Sequence, residues 1–206
     1  MTMPKEVEIR LNDIYAASAD RGGNLPRSIA DLEAIPYETY SSLLQDISNG
    51  KVTLIHAFMA WSLAVFDIFS TRAERAIVYS ALTAPYIVAI AGVVLAFFLH
   101  MYWLFLSVLW LFLVPVFSSR QFPFRNLFLV ASLVGTGLAA TVELPTLAAV
   151  LFTYFLCHAA YAINRRTFAS VILDRALSSE LAFCFLYEAK HIDLLDPETG
   201  NFRYDR

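Results

Sequence analysis

AIVYSALTAPYIVAIAGVVLAFFLHMYWLFLSVLWLFLVPVFSS, residues 76–119, is a run of 44 residues without a single Lys, Arg, Asp or Glu. As one α-helix it would measure about 66 Å, roughly twice the ~30 Å hydrocarbon core of a bilayer. Unpaired backbone cannot be left in lipid, so such a run has to fold back on itself. The natural break is at His100, its only imidazole, which is followed by Met101, Tyr102 and Trp103. Tyr and Trp favour the membrane–water interface. The run therefore reads as helix 77–99, a tight turn at His100 and helix 101–117. His100 is then an interfacial turn residue and not an imidazole sunk in apolar surroundings.

The plan repeats downstream. Residues 126–142 and 144–164 carry no charge and are separated by Glu143, with Pro145 close behind. Proline suits the first turn of a helix, where its missing N–H is not needed. The expectation is helix 126–142, a short turn at VELP and helix 145–163. Hydrophobic residues make up 58 % of the chain and charged residues only 16 %, outside the usual range of soluble domains. The fold class expected is an all-α integral membrane protein, with four transmembrane helices arranged as two hairpins.

Charge divides the chain. Residues 1–50 hold four basic and eight acidic side chains, 51–163 five and three, and 164–206 six and seven. Both ends are polar, and Met1 to Asp20 has no apolar block of the kind a signal peptide needs. The arginines orient the spans: Arg72 and Arg75 precede the first, Arg120 and Arg125 lie between the second and third, and Arg165 and Arg166 follow the fourth. His100 and Glu143 mark an opposite side without Lys or Arg. By the positive-inside rule both termini are cytoplasmic, in a cell inner membrane. A net charge of −3 argues against a nucleic-acid partner.

The domains expected are an N-terminal cytoplasmic helical region (1–50), an amphipathic interfacial helix (51–70), the transmembrane region (76–163) and a C-terminal cytoplasmic helix and tail (164–206). On a helix, Thr53, His56, Asp67 and Ser70 share one face, which suits a helix lying at the interface; a fifth span is the alternative. RGGNLP and Asn49-Gly50 are helix stops. Ser28 with Asp31 three residues on is a capping start. LAFCFLY, 181–187, is apolar all round and has to be buried, against 51–70, the bilayer or a partner.

Chemistry-bearing patterns are sparse. Glu188 and His191 form one Glu-x-x-His pair, where a di-iron bundle needs two such pairs and two further Glu; a solvated helix face is the plainer reading. His56 and His158 are candidate axial ligands for a haem between helices, though nothing in their spacing enforces it and hydrogen-bonded structural roles are the plainer reading. Asp67 and Glu143 lie near the bilayer, with Glu143 at a turn. Cys157 and Cys184 are not expected to pair in a reducing compartment. No phosphate loop, nucleophile elbow or His-Glu-x-x-His is present. Packing signals are clearer. Ala131, Gly135 and Ala139 recur every four residues, a spacing that lets helices approach closely.

The functional expectation is a non-enzymatic membrane subunit, without a cofactor, that anchors or assembles a larger complex or a homo-oligomer. Contacts are expected at Ala131, Gly135 and Ala139 and at Phe183, Phe185 and Leu186. A small oligomeric channel or transporter is the first alternative, and a membrane-bound haem or metal redox protein the second.

Overall fold

The structure is a computed structural model; it describes residues 2–32, 35–57, 62–98, 100, 102–117, 125–142 and 144–198. It is mostly helical and divides into two compact units, Met1–Arg75 with Phe168–Arg206, and Ala76–Thr167. The two polar ends of the chain, which composition treats as separate regions, belong to one unit.

In the first unit α1 (Lys5–Asp20) buries Val7, Leu11 and Tyr15, one residue per turn, and carries Glu6 and Glu8 at its positive end. It stops where Gly22 takes φ 74°, letting the Gly22 and Gly23 N–H groups return to the Ala19 and Ser18 carbonyls. α2 (Tyr40–Ser48) starts on the Thr39 side chain and ends the same way at Gly50. Ser28 and Asp31 do form a capping box, but it opens only the 3₁₀ turn Ile29–Asp31, with Leu32 extended. Pro36 follows, and a residue before proline is pushed towards extended backbone.

The expected single helix over 51–70 is not what forms. Thr53–His56 is a strand, β1, and Leu63–Phe69 is a short helix, α3, with Ser62 as its cap. β1 pairs antiparallel with β2 (Ile192–Leu195), with Thr53 opposite Leu195 and His56 opposite Ile192. Val52, Leu54, Ile192 and Leu194 are buried in period-two alternation. The β-branched run Val52, Thr53, Ile55 favours this pairing once β2 is there to receive it.

Helix α4 (Arg72–Phe98) follows α3 directly, and α7 (Pro145–Ser178) is the longest helix. Within 168–178, Phe168, Val171, Ile172, Arg175 and Ala176 are buried. The C-terminal segment does not continue as one helix. Ser179 breaks it and caps α8 (Glu180–Glu188), which ends at Lys190 with φ 58° before β2. The core of the first unit gathers Phe66 stacked on Phe168 (4.9 Å), Phe69 against Phe185 (5.6 Å) and Phe183 against Tyr40 (5.9 Å).

The second unit holds α4 from Ala76, the 3₁₀ segment Tyr102–Leu109, α5 (Trp110–Phe117), α6 (Arg125–Thr141) and α7 up to Thr167. The chain turns at His100, which adopts φ 53°, and Pro145 opens α7. Glu143 and Arg120 lie outside the described residues. α4 and α7 are long and apolar enough to cross a membrane; α6 is apolar but shorter, and where one helix over 101–117 is expected the described residues 102–117 are a 3₁₀ segment running into α5. The inward face of α4 is small: Val78, Ala81, Ala89, Gly92 and Ala96. Ala96, Leu104 and Val150 form one packed cluster, and Val114, Tyr154 and Cys157 another.

Candidate functional site

The most developed polar arrangement lies at the α3–α4 junction, in the first unit. A helix end leaves its last four carbonyls without partners. At α3 three acceptors are met by two arginines: Arg10 donates to the Asp67 and Ser70 carbonyls, the latter at 2.6 Å, and Arg175 Nε donates to Phe69 O at 3.1 Å. Cations are favourable at this negative end of a helix. One residue further on, Thr71 and Glu74 form a reciprocal capping box for α4. The Thr71 N–H donates to Glu74 Oε2 at 2.6 Å and the Glu74 N–H to Thr71 Oγ1 at 3.3 Å. Glu74 then accepts both hydrogen bonds of Arg175 Nη2, at 2.7 and 3.0 Å.

The result is a clasp. Arg175 from α7 and Arg10 from α1 hold the end of α3, and Glu74 holds the start of α4. The Arg175 side chain is only 8 % exposed. Burial, then the nearby Arg75 charge, lowers the Arg10 pKa from its ordinary value, while Glu6 and Asp67 oppose the shift. The arrangement positions helices. It presents no nucleophile, base or metal ligand to a substrate.

Other side chains tie the unit together. Glu180 Oε1 accepts from Ser28 Oγ (3.0 Å) and from the Ile29 N–H (2.8 Å), joining α8 to the 3₁₀ turn. The Tyr15 hydroxyl reaches Pro26 O and Leu181 O. Burial, with Glu180 and Asp31 adding to it, pushes the Cys184 thiol up to about 12, so it is inert at neutral pH. A shallow concavity of about 460 Å³ along α1, lined by Ile14, Ala17, Ser18, Arg21 and Gly23, gathers no catalytic set.

His56 sits on β1 with its ring edge-on to Phe168 at 5.3 Å, in the first unit. His158 sits in the second, buried, with Nδ1 3.4 Å from the Tyr154 hydroxyl. Glu188 ends α8 and is exposed, whereas His191 is buried past the left-handed Lys190. The pair is therefore not one turn apart on a helix. The His191 N–H closes the cap on Leu186 O, and its carbonyl accepts from Ala57. Among the described residues, no three His, Cys, Asp or Glu side chains gather as a metal site would require.

On α6 Ala131 is exposed, while Ser132 and Ala139 are buried. A Cβ on Gly135 would lie 3.0 Å from Leu151 Cδ1 of α7, so this glycine accommodates a neighbour within the same chain. Phe183 and Leu186 are fully buried in the first unit, and Phe185 is half-buried between Tyr15 and Phe69. Most of LAFCFLY is thus packed into the protein's own core, with Leu181 and Phe185 part-buried.

The clasp lies outside the sites that the sequence pattern singles out. Its signals were Thr71-x-x-Glu74 ahead of an apolar run, and Arg175 falling on the apolar stripe 168, 171, 172. No protein-family model, no curated protein and no solved structure matches the chain.

Proposed function

We propose that this protein is a non-enzymatic integral membrane subunit, with four spans and both termini cytoplasmic, that anchors or assembles a larger complex or a homo-oligomer. The observation that carries the reading is a contrast of surfaces. In the first unit the large apolar side chains are mostly inside. In the second they are outside: Tyr86, Ile90, Phe98, Phe112, Leu127, Leu138 and Val142 are all at least 60 % exposed, Phe98 at 80 %. Only 22 % of the most apolar stretch of α4 and 28 % of that of α7 is buried. Soluble proteins rarely leave apolar patches of this extent in water, and lipid solvates them.

The number of spans is supported by length. α6 would measure about 26 Å. The eight-residue 3₁₀ segment at about 2 Å per residue and the eight-residue α5 add up to about 28 Å, close to the ~30 Å hydrocarbon core. Small inward faces on α4 and α6 suit helices that associate by close packing. Because Phe183 and Leu186 serve the first unit's own core, the outward faces of the apolar helices are the surfaces left for assembly.

Topology is read by impermeant thiol labelling in a cysteine-free background. Cysteines replacing His100 and Val142 should label from outside, and one replacing Arg166 should not. The reverse pattern would overturn the orientation. Co-purification in mild detergent should return partner subunits or a defined homo-oligomer. If the purified protein alone carries ions or a solute across proteoliposomes, the channel reading replaces this one.

A further inference from the structure

Among the described residues at the foot of α4, four arginines (Arg10, Arg72, Arg75 and Arg175) stand with three carboxylates (Glu6, Asp67 and Glu74). Glu74 is fully engaged by Thr71 and Arg175. Arg10 spends its donors on the backbone carbonyls of Glu6, Asp67 and Ser70. Arg72 and Arg75 form no ion pair among the described residues. Arg72 is exposed, and Arg75 Nε is buried with no hydrogen-bond partner. A desolvated guanidinium N–H without an acceptor is costly, and an anion drawn to the Arg75 guanidinium would offset that cost. The charge is also felt locally: after burial, Arg75 is the largest influence lowering the Arg10 pKa. Arg72 and Arg75 are three residues apart, so they lie on the same side of the helix. Ala73 and Ala76 beside them take little room.

We propose that Arg72 and Arg75 bind the phosphate of an anionic phospholipid headgroup. This rests on the membrane reading above. Guanidinium matches phosphate with two parallel donors, which an ammonium cannot do. The depth is set by the sequence: α4 runs from Arg75 straight into 23 residues without charge, starting with Ala76, and Tyr79 marks the interface one turn on. A phosphate held at Arg72 and Arg75 is therefore at headgroup level, with its acyl chains alongside α4. A free inorganic or nucleotide phosphate has the same chemistry without that anchorage.

The test uses the full chain in nanodiscs of phosphatidylcholine with and without phosphatidylglycerol, followed by native mass spectrometry of the lipids retained on release. Phosphatidylglycerol should be retained over phosphatidylcholine. Arg72→Gln and Arg75→Gln should each lower that preference about fivefold. Arg21→Gln, about 16 Å along α1 from Arg10, should leave it unchanged. Arg72→Gln alters an exposed side chain, so it remains informative if Arg75→Gln folds poorly. Undiminished selectivity in the double variant would overturn the site. So would thermal stabilisation by inorganic phosphate equal to that by phosphatidylglycerol, which would assign it to a free anion. Alkaline carbonate extraction separates the two readings. Release from the membrane refutes the membrane assignment itself, whereas a retained protein without lipid preference refutes only the headgroup site.

Discussion

Replacing Arg175 by Met tests whether the clasp holds the first unit together. The substitution keeps the apolar stem, which packs on the core side of α7, and removes the guanidinium. Two things are lost: the paired bonds to Glu74 and the bond from Nε to Phe69 O. Breaking a fully buried ion pair costs about 3–5 kcal/mol. The Glu74 side chain is 26 % exposed and rehydrates in part, which brings this to about 2–3 kcal/mol. The orphaned Phe69 carbonyl adds about 1 kcal/mol. The total is roughly 3–4 kcal/mol, or about 140- to 700-fold in the population of the opened state. Cys184 reports that population, since it is completely buried and its thiol is held near 12 while folded. Alkylation of Cys184 in a Cys157→Ser background should accelerate by that factor in Arg175→Met. Glu74→Gln should cost about 2–3 kcal/mol by leaving Arg175 buried without a carboxylate. The double variant should cost little more than either single one, a coupling of about 1.5–3 kcal/mol. Labelling within twofold of the parent, or costs that add within about 0.5 kcal/mol, would refute the argument.

Lys190 holds a left-handed backbone at the end of α8, so Lys190→Gly should stabilise the first unit by about 0.5–1 kcal/mol in urea unfolding. Gly135→Leu should destabilise the helix packing of the second unit by about 1–3 kcal/mol against Leu151, with partial rescue by Leu151→Ala in a detergent thermal melt. Stability should fall with alkali. Burial, with the Cys184 thiolate adding to it, raises both the Tyr15 and Tyr40 pKa; burial also raises that of Cys184, from an ordinary 9.0 to about 12. An acid whose pKa is raised by folding contributes fully below its unfolded pKa and loses that contribution as pH rises towards the folded one. Each group therefore removes about 1.4 kcal/mol per pH unit above its unfolded pKa, beginning with Cys184 near pH 9, and Cys184→Ala should flatten the urea midpoint between about pH 9 and 10.

The helical character of the chain and its long apolar helices are local in origin, and so they were readable. Whether 44 uncharged residues suit water or lipid depends on the side chains themselves. The turn at His100, the stops at Gly22 and Gly50 and the start at Pro145 were readable for a similar reason, since each depends on a few neighbouring φ angles and donors. Tertiary structure decided what depended on distant partners. Residues 53–56 carry a polar stripe that fits a helix, but 192–195 offer them a ladder of hydrogen bonds, and a strand needs its partner. Phe183 and Leu186 had to be buried by composition, yet only the packed first unit shows that the chain's own helices cover them. Glu188 and His191 separate because the helix ends on a left-handed lysine, a position that carries no glycine to announce it. The clasp is the furthest from local signals. Arg10, Glu74 and Arg175 are scattered over 165 residues, and their bonds exist only where three helix ends converge.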